Sequence, residues 1–388
     1  MKQLVNVMMQ LIKSEVCGTP MGEISNEVFS DFFLENLYQI SKAHDLAHIV
    51  GSALEKLGVL KDEDDPISEQ FRKQGFTAVY RYQQLQYAYE TVCEVLESEK
   101  IPYMPLKGSV IRPYYAEPWM RTSCDIDILV HEENLEKAVE TLCGSLEFTA
   151  EDEKQYHDIS LYSQNGIHLE LHFSILENTD NIDALLSKVW EHAVLTDGST
   201  CSYRQTNEYL LFHVLAHMSY HFIRGGCGIR PLIDLYLLKN KMPFDDTAVR
   251  ALCAQCGIER FYDSVLALSE VWFANAEHTA VTREMEQYLL CGGIYGTQEN
   301  QIAVEHEKRG GKLRYILHRL FMPYSNLKSQ YPILEKHKWL MPVCQVRRWF
   351  RMLFRGRLKR SVAELKMSQN MDAKKAKATA ELLREIGL

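Results

Sequence analysis

Two carboxylates one residue apart, Asp125 and Asp127, sit among Ile126, Ile128 and Leu129 at the end of the segment LKGSVIRPYYAEPWMRTSCDIDILV, Leu106–Val130. Alternation of this kind predicts a half-buried β-strand, because strand side chains point to opposite faces with a period of two, so both acids share one face. Like charges held that close repel each other and are costly to desolvate. Two arrangements accommodate them: a divalent cation between the carboxylates, or an exposed strand face that merely carries acids.

The neighbouring sequence bears on that choice. Lys107-Gly108-Ser109 follows a short strand-like run, Tyr103 to Leu106, and precedes a helix start. A glycine at such a turn lets the backbone approach a phosphate, and helix N-terminal amides favour an anion. Downstream, Gly166 to Phe173 alternates again, with His168, Glu170 and His172 on one face and Ile167, Leu169, Leu171 and Phe173 on the other. Glu170 is positioned to add a third carboxylate to the same site.

A Gly-Ser at a strand-to-helix turn, an Asp-x-Asp strand and a later strand acid together resemble the nucleotidyltransferase superfamily that includes DNA polymerase beta and the aminoglycoside nucleotidyltransferases. The fuller wording LKGSVIRPYY, RTSCDIDILV, HLELHF, LLFHVLAHMSYH and RPLIDLYLL is similar to an uncharacterised bacterial nucleotidyltransferase family of that superfamily. The closer likeness covers about Ile101 to Leu238 and extends more weakly to about Trp339. Fifteen residues, Val110 to Cys124, separate Ser109 from Asp125, a longer gap than is usual in the superfamily, and a lysine precedes Gly108.

The resemblance implies transfer of a nucleoside monophosphate from an NTP such as ATP to an acceptor hydroxyl or phosphate, with release of pyrophosphate. Asp125 and Asp127 would bridge two Mg²⁺ ions, Glu170 would complete the metal shell and help deprotonate the acceptor, and Gly108-Ser109 would hold the terminal phosphates. Lys107, Arg112 and Arg121 would offset the charge of the leaving group, an arginine clamping phosphate through its planar fork. For either arginine, the bland reading is a salt bridge to a neighbouring acid. Other readings of the whole are a catalytically inactive nucleotide-binding regulatory module and a histidine-dependent metallohydrolase.

The expected fold class is α+β: a small mixed sheet backed by helices on one face, with helical regions on either side. Four segments are expected: a helical N-terminal region 1–100, the α/β core 101–200, a helical domain 201–340, and a basic helix with a helical tail, 341–388. Apolar spacings predict helices over Lys2–Ser14, Glu27–Ala43 and Asp45–Leu57. Pro66 opens one long helix through Ile67–Glu99, broken by Ile101-Pro102. In the core, the pattern predicts a helix from Ser109 to about Tyr115 and strands near Ile159–Ser163 and Ile167–Phe173. Further helices are expected near Glu132–Leu142, Thr247–Cys256, Arg260–Phe273, Arg283–Leu290 and Lys312–Phe321.

His213, His217 and His221 stand four apart on one helix stripe. Histidines at that spacing can share a metal, line a cleft where they meet a phosphate or the acceptor, or form a satisfied, semi-buried row. His172, His213 and His217 are the candidate acceptor-binding residues. Arg230 and Asp234, beyond the glycine-rich link Arg224 to Gly228, can pair with each other or reach the site.

The ten cysteines lack framework spacing, which suits reduced thiols in a cytoplasm, and Cys253-Ala-Gln-Cys256 has no second pair to complete a zinc site. Net charge is −9, which argues against coating duplex DNA. The sequence also carries no recognised RNA-binding module, and the expected acceptor is a small molecule, glycan or peptide rather than nucleic acid. No apolar run reaches the roughly 20 residues of a membrane span, and the apolar stretch at the start is too short and interrupted for a signal peptide. From Pro342 to Arg360 there are seven basic residues and no acidic ones. The helix near Pro342–Phe354 can lie on an anionic membrane surface, hold an acidic partner or RNA, or dock through its apolar side. A final, partly detached helix is expected over Lys359–Leu388.

Overall fold

The computed structural model describes residues 2–20, 22, 24–61, 64–151, 157–177, 179–293, 296–308, 314, 316–317, 321–354 and 373–388. It is an α+β protein. Three helices, α1 (Lys2–Cys17), α2 (Asp31–Ala43) and α3 (Ala47–Lys56), lead into a 33-residue helix, α4 (Pro66–Ser98). Pro66 at the first turn and an N-cap Asp65, whose side chain accepts from Ser68 N at 3.0 Å, explain why α4 begins where it does.

The sheet follows. Strands β1 (Tyr103–Pro105), β2 (Asp125–Val130), β3 (Thr149–Ala150), β4 (Asp158–Tyr162) and β5 (His168–His172) make a five-stranded mixed sheet in the order β1-β2-β5-β4-β3. Strand β2 runs antiparallel to β1 and parallel to β5, and its register sets Asp125 opposite His168, Asp127 opposite Glu170 and Leu129 opposite His172. The alternation divides the two faces. Ile126, Ile128, Val130, Leu169 and Leu171 pack with Leu85, Val92 and Leu96 of α4 and with Leu135, Ala138 and Leu142 of α6 (Leu135–Leu146). The opposite face carries the acids and histidines.

Between β1 and β2, the expected helix from Ser109 to Tyr115 is instead a single turn, α5 (Lys107–Ile111), followed by a 3-10 turn at Arg112–Tyr114. Pro113 brings no backbone N–H to continue the α-helical ladder. Lys107 opens α5 at φ 40°, a left-handed conformation that a residue with a side chain adopts at a cost.

After α7 (Asp180–Leu186), the chain forms α8 (Asn207–Ile223), α9 (Arg230–Lys241), α10 (Asp246–Cys256), α11 (Glu259–Phe273), α12 (Ala280–Leu290) and α13 (Gln298–Lys308). One continuous core joins Met8, Leu11 and Ile12 of α1, Leu34 and Leu37 of α2, and Phe71 of α4 to Phe212, Phe222, Leu235, Phe261 and Phe273 of these later helices. The turn between α8 and α9 needs its glycines: Gly225 has φ 121°, and a Cβ there would meet Thr297 O at 2.8 Å. Among the described residues, no helix is long and apolar enough to cross a membrane.

One expectation near the C-terminal end changes and another is not reached. Most of Lys312–Phe321 lies outside the described residues, as do 359–372. The helix that is described, Ala373–Glu385, is not detached: Leu382, Leu383 and Ile386 are buried in the main core.

Candidate functional site

The acid face of β2 and β5 is roofed by α8 and α9, and between them lies a cavity of about 250 Å³. Asp125, Asp127 and Glu170 line it from the sheet, Lys107 and Gly108 from the start of α5, and Arg121 to Cys124 from the loop before β2. His213, His217 and His221 of α8 and Arg230 and Asp234 of α9 complete it, with Asp45 at the end of α2.

The two aspartates differ. Asp127 is buried, 6 % exposed, and accepts from Lys107 Nζ at 3.3 Å and His172 Nε2 at 3.0 Å. Burial pushes its carboxyl up, but the Lys107 charge and the His172 bond outweigh that and hold it well below the usual carboxylate range. Asp125 has no such partner cation in contact, and burial together with the charges of Asp127 and Glu170 raises its pKa. Burial would lower the Lys107 ammonium, yet Asp127, Glu170 and Glu177 outweigh it and keep the lysine charged.

Ligand atoms of Asp125, His168 and Glu170 lie within 4.8 Å of one another, and so do those of Asp127, Glu170 and His172. Three convergent carboxylates, one of them destabilised by its like-charged neighbours, fit a divalent cation, and their oxygens are hard donors of the kind that suit Mg²⁺. His168 is a candidate ligand that strand periodicity brought to the correct face without marking its use.

Three expected site residues lie outside the cavity lining. His172 is 2 % exposed, does not line the cavity, and braces Asp127 and Glu170 from behind, with its Nε2 3.3 Å from Glu170 Oε2. Ser109 does not line the cavity, whereas Lys107 and Gly108 beside it do. Arg112 is buried beneath the loop, donating from Nε to Arg121 O at 3.2 Å and from Nη2 to Ser123 Oγ. Burial and the Arg121 charge lower its pKa to about 10. Both of these bonds hold the loop before β2, and Arg112 does not line the cavity.

Arg121 does reach the cavity, but its Nε and Nη2 are bound by Asp234 at 2.9 and 2.8 Å, and Tyr115 Oη donates to the same carboxylate at 2.7 Å. The pairing partly realises the bland salt-bridge reading, with an acid far off in sequence. The third nitrogen, Nη1, lies against Gly108, where an added Cβ would stand 3.1 Å away and push the guanidinium back by a few tenths of an ångström. Asp234 thus does not pair with Arg230. Arg230 donates to Thr122 O at 2.9 Å and to Asp45 Oδ2 at 3.3 Å.

The histidine stripe forms the opposite wall. His213 is buried with Nδ1 3.0 Å from Gln205 Nε2, and burial, with the Lys107 charge, lowers its pKa to about 3. It is therefore a neutral wall residue. His217 donates from Nδ1 to Glu177 Oε1 at 2.5 Å, and its Nε2 lies 3.2 Å from Nε2 of His221. Burial and His217 bring His221 down to about 4. Glu177 and Asp45 were missed in the sequence, because each lies in a connection whose local pattern gives no sign of the distant helix it meets.

Cys253 and Cys256 are buried in α10, where burial pushes their thiols up to about 12 and about 11. All ten cysteines are free thiols.

A family model described as an uncharacterised nucleotidyltransferase matches residues 31–274, a span that contains every cavity residue named above. No curated protein and no solved structure matches the chain.

Proposed function

The chain belongs to this nucleotidyltransferase family, and from that premise we propose that it moves a nucleoside monophosphate from an NTP to an acceptor hydroxyl or phosphate in the cavity under α8 and α9. The observation that carries the reading is the convergence of Asp125, Asp127 and Glu170 on one wall of a cavity whose other residues include Lys107, Arg121 and three histidines.

Asp125, Asp127 and Glu170 would hold two Mg²⁺ ions. Ions so bound stabilise charge on the attacking and leaving oxygens of an in-line displacement. The remaining work belongs to the chain's own groups. Lys107 meets the triphosphate from the sheet side, where it balances the acids before substrate enters. Arg121, held rigid along one edge by Asp234, presents Nη1 beside Gly108 to a phosphate oxygen. A pre-oriented guanidinium loses little freedom on binding, which favours it as an electrostatic stabiliser.

The acceptor enters from the histidine wall. His217 is oriented by Glu177 through Nδ1, as imidazoles that bind or take up protons commonly are, and His213 packs beside it.

The test is calorimetric titration of ATP, GTP, CTP and UTP into wild-type protein and an Asp125→Asn/Asp127→Asn variant, with and without Mg²⁺, followed by assay for pyrophosphate. Binding of at least one NTP that requires both metal and carboxylates is expected. Equal nucleotide binding by wild type and the folded variant would remove the proposal.

A further inference from the structure

We infer that the helix Met341–Phe354 seats this chain on an anionic membrane surface. The helix packs by its back face on a small separate core of Leu327, Tyr331, Leu334 and Cys344, where Gln345 and Arg348 are also buried. Its front is an apolar stripe. Val343, Val346 and Phe350 follow one another at three- and four-residue steps, and Trp339 precedes them on the short turn Lys338–Leu340. These side chains are large and wet: Trp339 is 74 % exposed, Val343 60 % and Val346 44 %.

An exposed stripe of this kind, on one side of a 14-residue helix, leaves apolar area in water that burial would stabilise. Basic residues flank it. Lys336, Lys338, Arg347 and Arg351 are exposed, and Arg351 is steered by the Tyr331 ring, 5.0 Å from its guanidinium carbon. No acid occurs from Pro342 to Arg360, although the chain as a whole carries −9. An anionic surface therefore repels most of the protein and attracts this face, which fixes the orientation of docking.

The chemistry of the stripe separates the candidate surfaces. Trp339 and Phe350 offer rings to a nucleobase, but Val343 and Val346 between them do not, so RNA would engage the rings and the arginines and leave the middle of the stripe in water. A bilayer covers an apolar stripe without needing a complementary shape, and places a tryptophan and a basic flank at the headgroup level. This inference is independent of the nucleotide site.

The experiment is co-sedimentation of the full chain with vesicles of phosphatidylcholine alone and of phosphatidylcholine mixed with phosphatidylserine, beside a filter-binding assay with polyuridylate RNA. Wild type should pellet with the anionic vesicles only, and high salt should release part of it. Val343→Glu/Val346→Glu and Arg347→Glu/Arg351→Glu should each lower the partition coefficient by about tenfold or more, with the far-ultraviolet circular dichroism unchanged because the altered residues are exposed. Failure of wild type to pellet with anionic vesicles overturns the inference. So does vesicle binding that survives the valine substitutions, or RNA binding stronger than vesicle binding and lost only with the arginines.

Discussion

Asp125 and Asp127 share a strand face yet meet opposite surroundings, and the difference comes from their partners. Asp127 is compensated by Lys107 and His172, whereas Asp125 feels mainly burial and two other acids. Asp125 is thus the carboxylate that gains most from a bound cation. The Arg121–Asp234 pair shows a second consequence of burial. With both partners nearly inaccessible, neither charge is compensated by water, so removing one leaves the other stranded. Asp234→Ala should destabilise the fold by about 3–5 kcal/mol, read as a shift in the urea midpoint with an unchanged slope. A loss under about 1 kcal/mol would show that the pair does not hold the loop. Pairing Arg121→Met with Asp234→Leu should recover much of the stability while leaving nucleotide affinity impaired, because the apolar pair keeps the packing and loses the positive group.

At the level of elements, α4 spans two interiors. Its N-terminal half packs Ile67 and Phe71 into the main core, and its C-terminal half lays Leu85, Val92 and Leu96 under the sheet. Phe71 is 1 % exposed, edge-on to Tyr38 with ring centroids 5.1 Å apart, and an added Cβ on Gly51 of α3 would meet its Cβ at 3.1 Å. Phe71→Ala should therefore cost about 3–5 kcal/mol, with the thermal midpoint as the readout and the far-ultraviolet spectrum largely retained. A neutral outcome would mean that α3 closes the gap. Long, strongly patterned elements such as α4, β2 and β5 were legible in advance, because their periods are local properties of the chain. The start of α5 was not: its helix begins at Lys107, in a left-handed conformation that tertiary contacts of Lys107 and Gly108 support and that no propensity favours.

Across the whole molecule, the sheet and its acids lie between helices, α4 and α6 on one face and α8 and α9 on the other. The helix Ala373–Glu385 closes part of the main core through Leu382, Leu383 and Ile386. Truncation before Ala373 would expose these side chains and their partners. At about 1.5–3 kcal/mol for each large apolar side chain, the loss should be at least several kcal/mol, seen as a lower thermal midpoint and increased binding of a hydrophobic dye; an unchanged midpoint would show the helix to be dispensable. The sequence by itself determined the α+β class, the long helix, the faces of β2 and β5, and the three acids that meet, because each follows from spacing within a few residues. Only the tertiary structure decided what those groups face. Asp234 reaches Arg121 across 113 positions, Glu177 meets His217 across 40, and Asp45 joins Arg230 across 185. Such pairings depend on the path of the backbone through space, and a periodic pattern carries no record of that path.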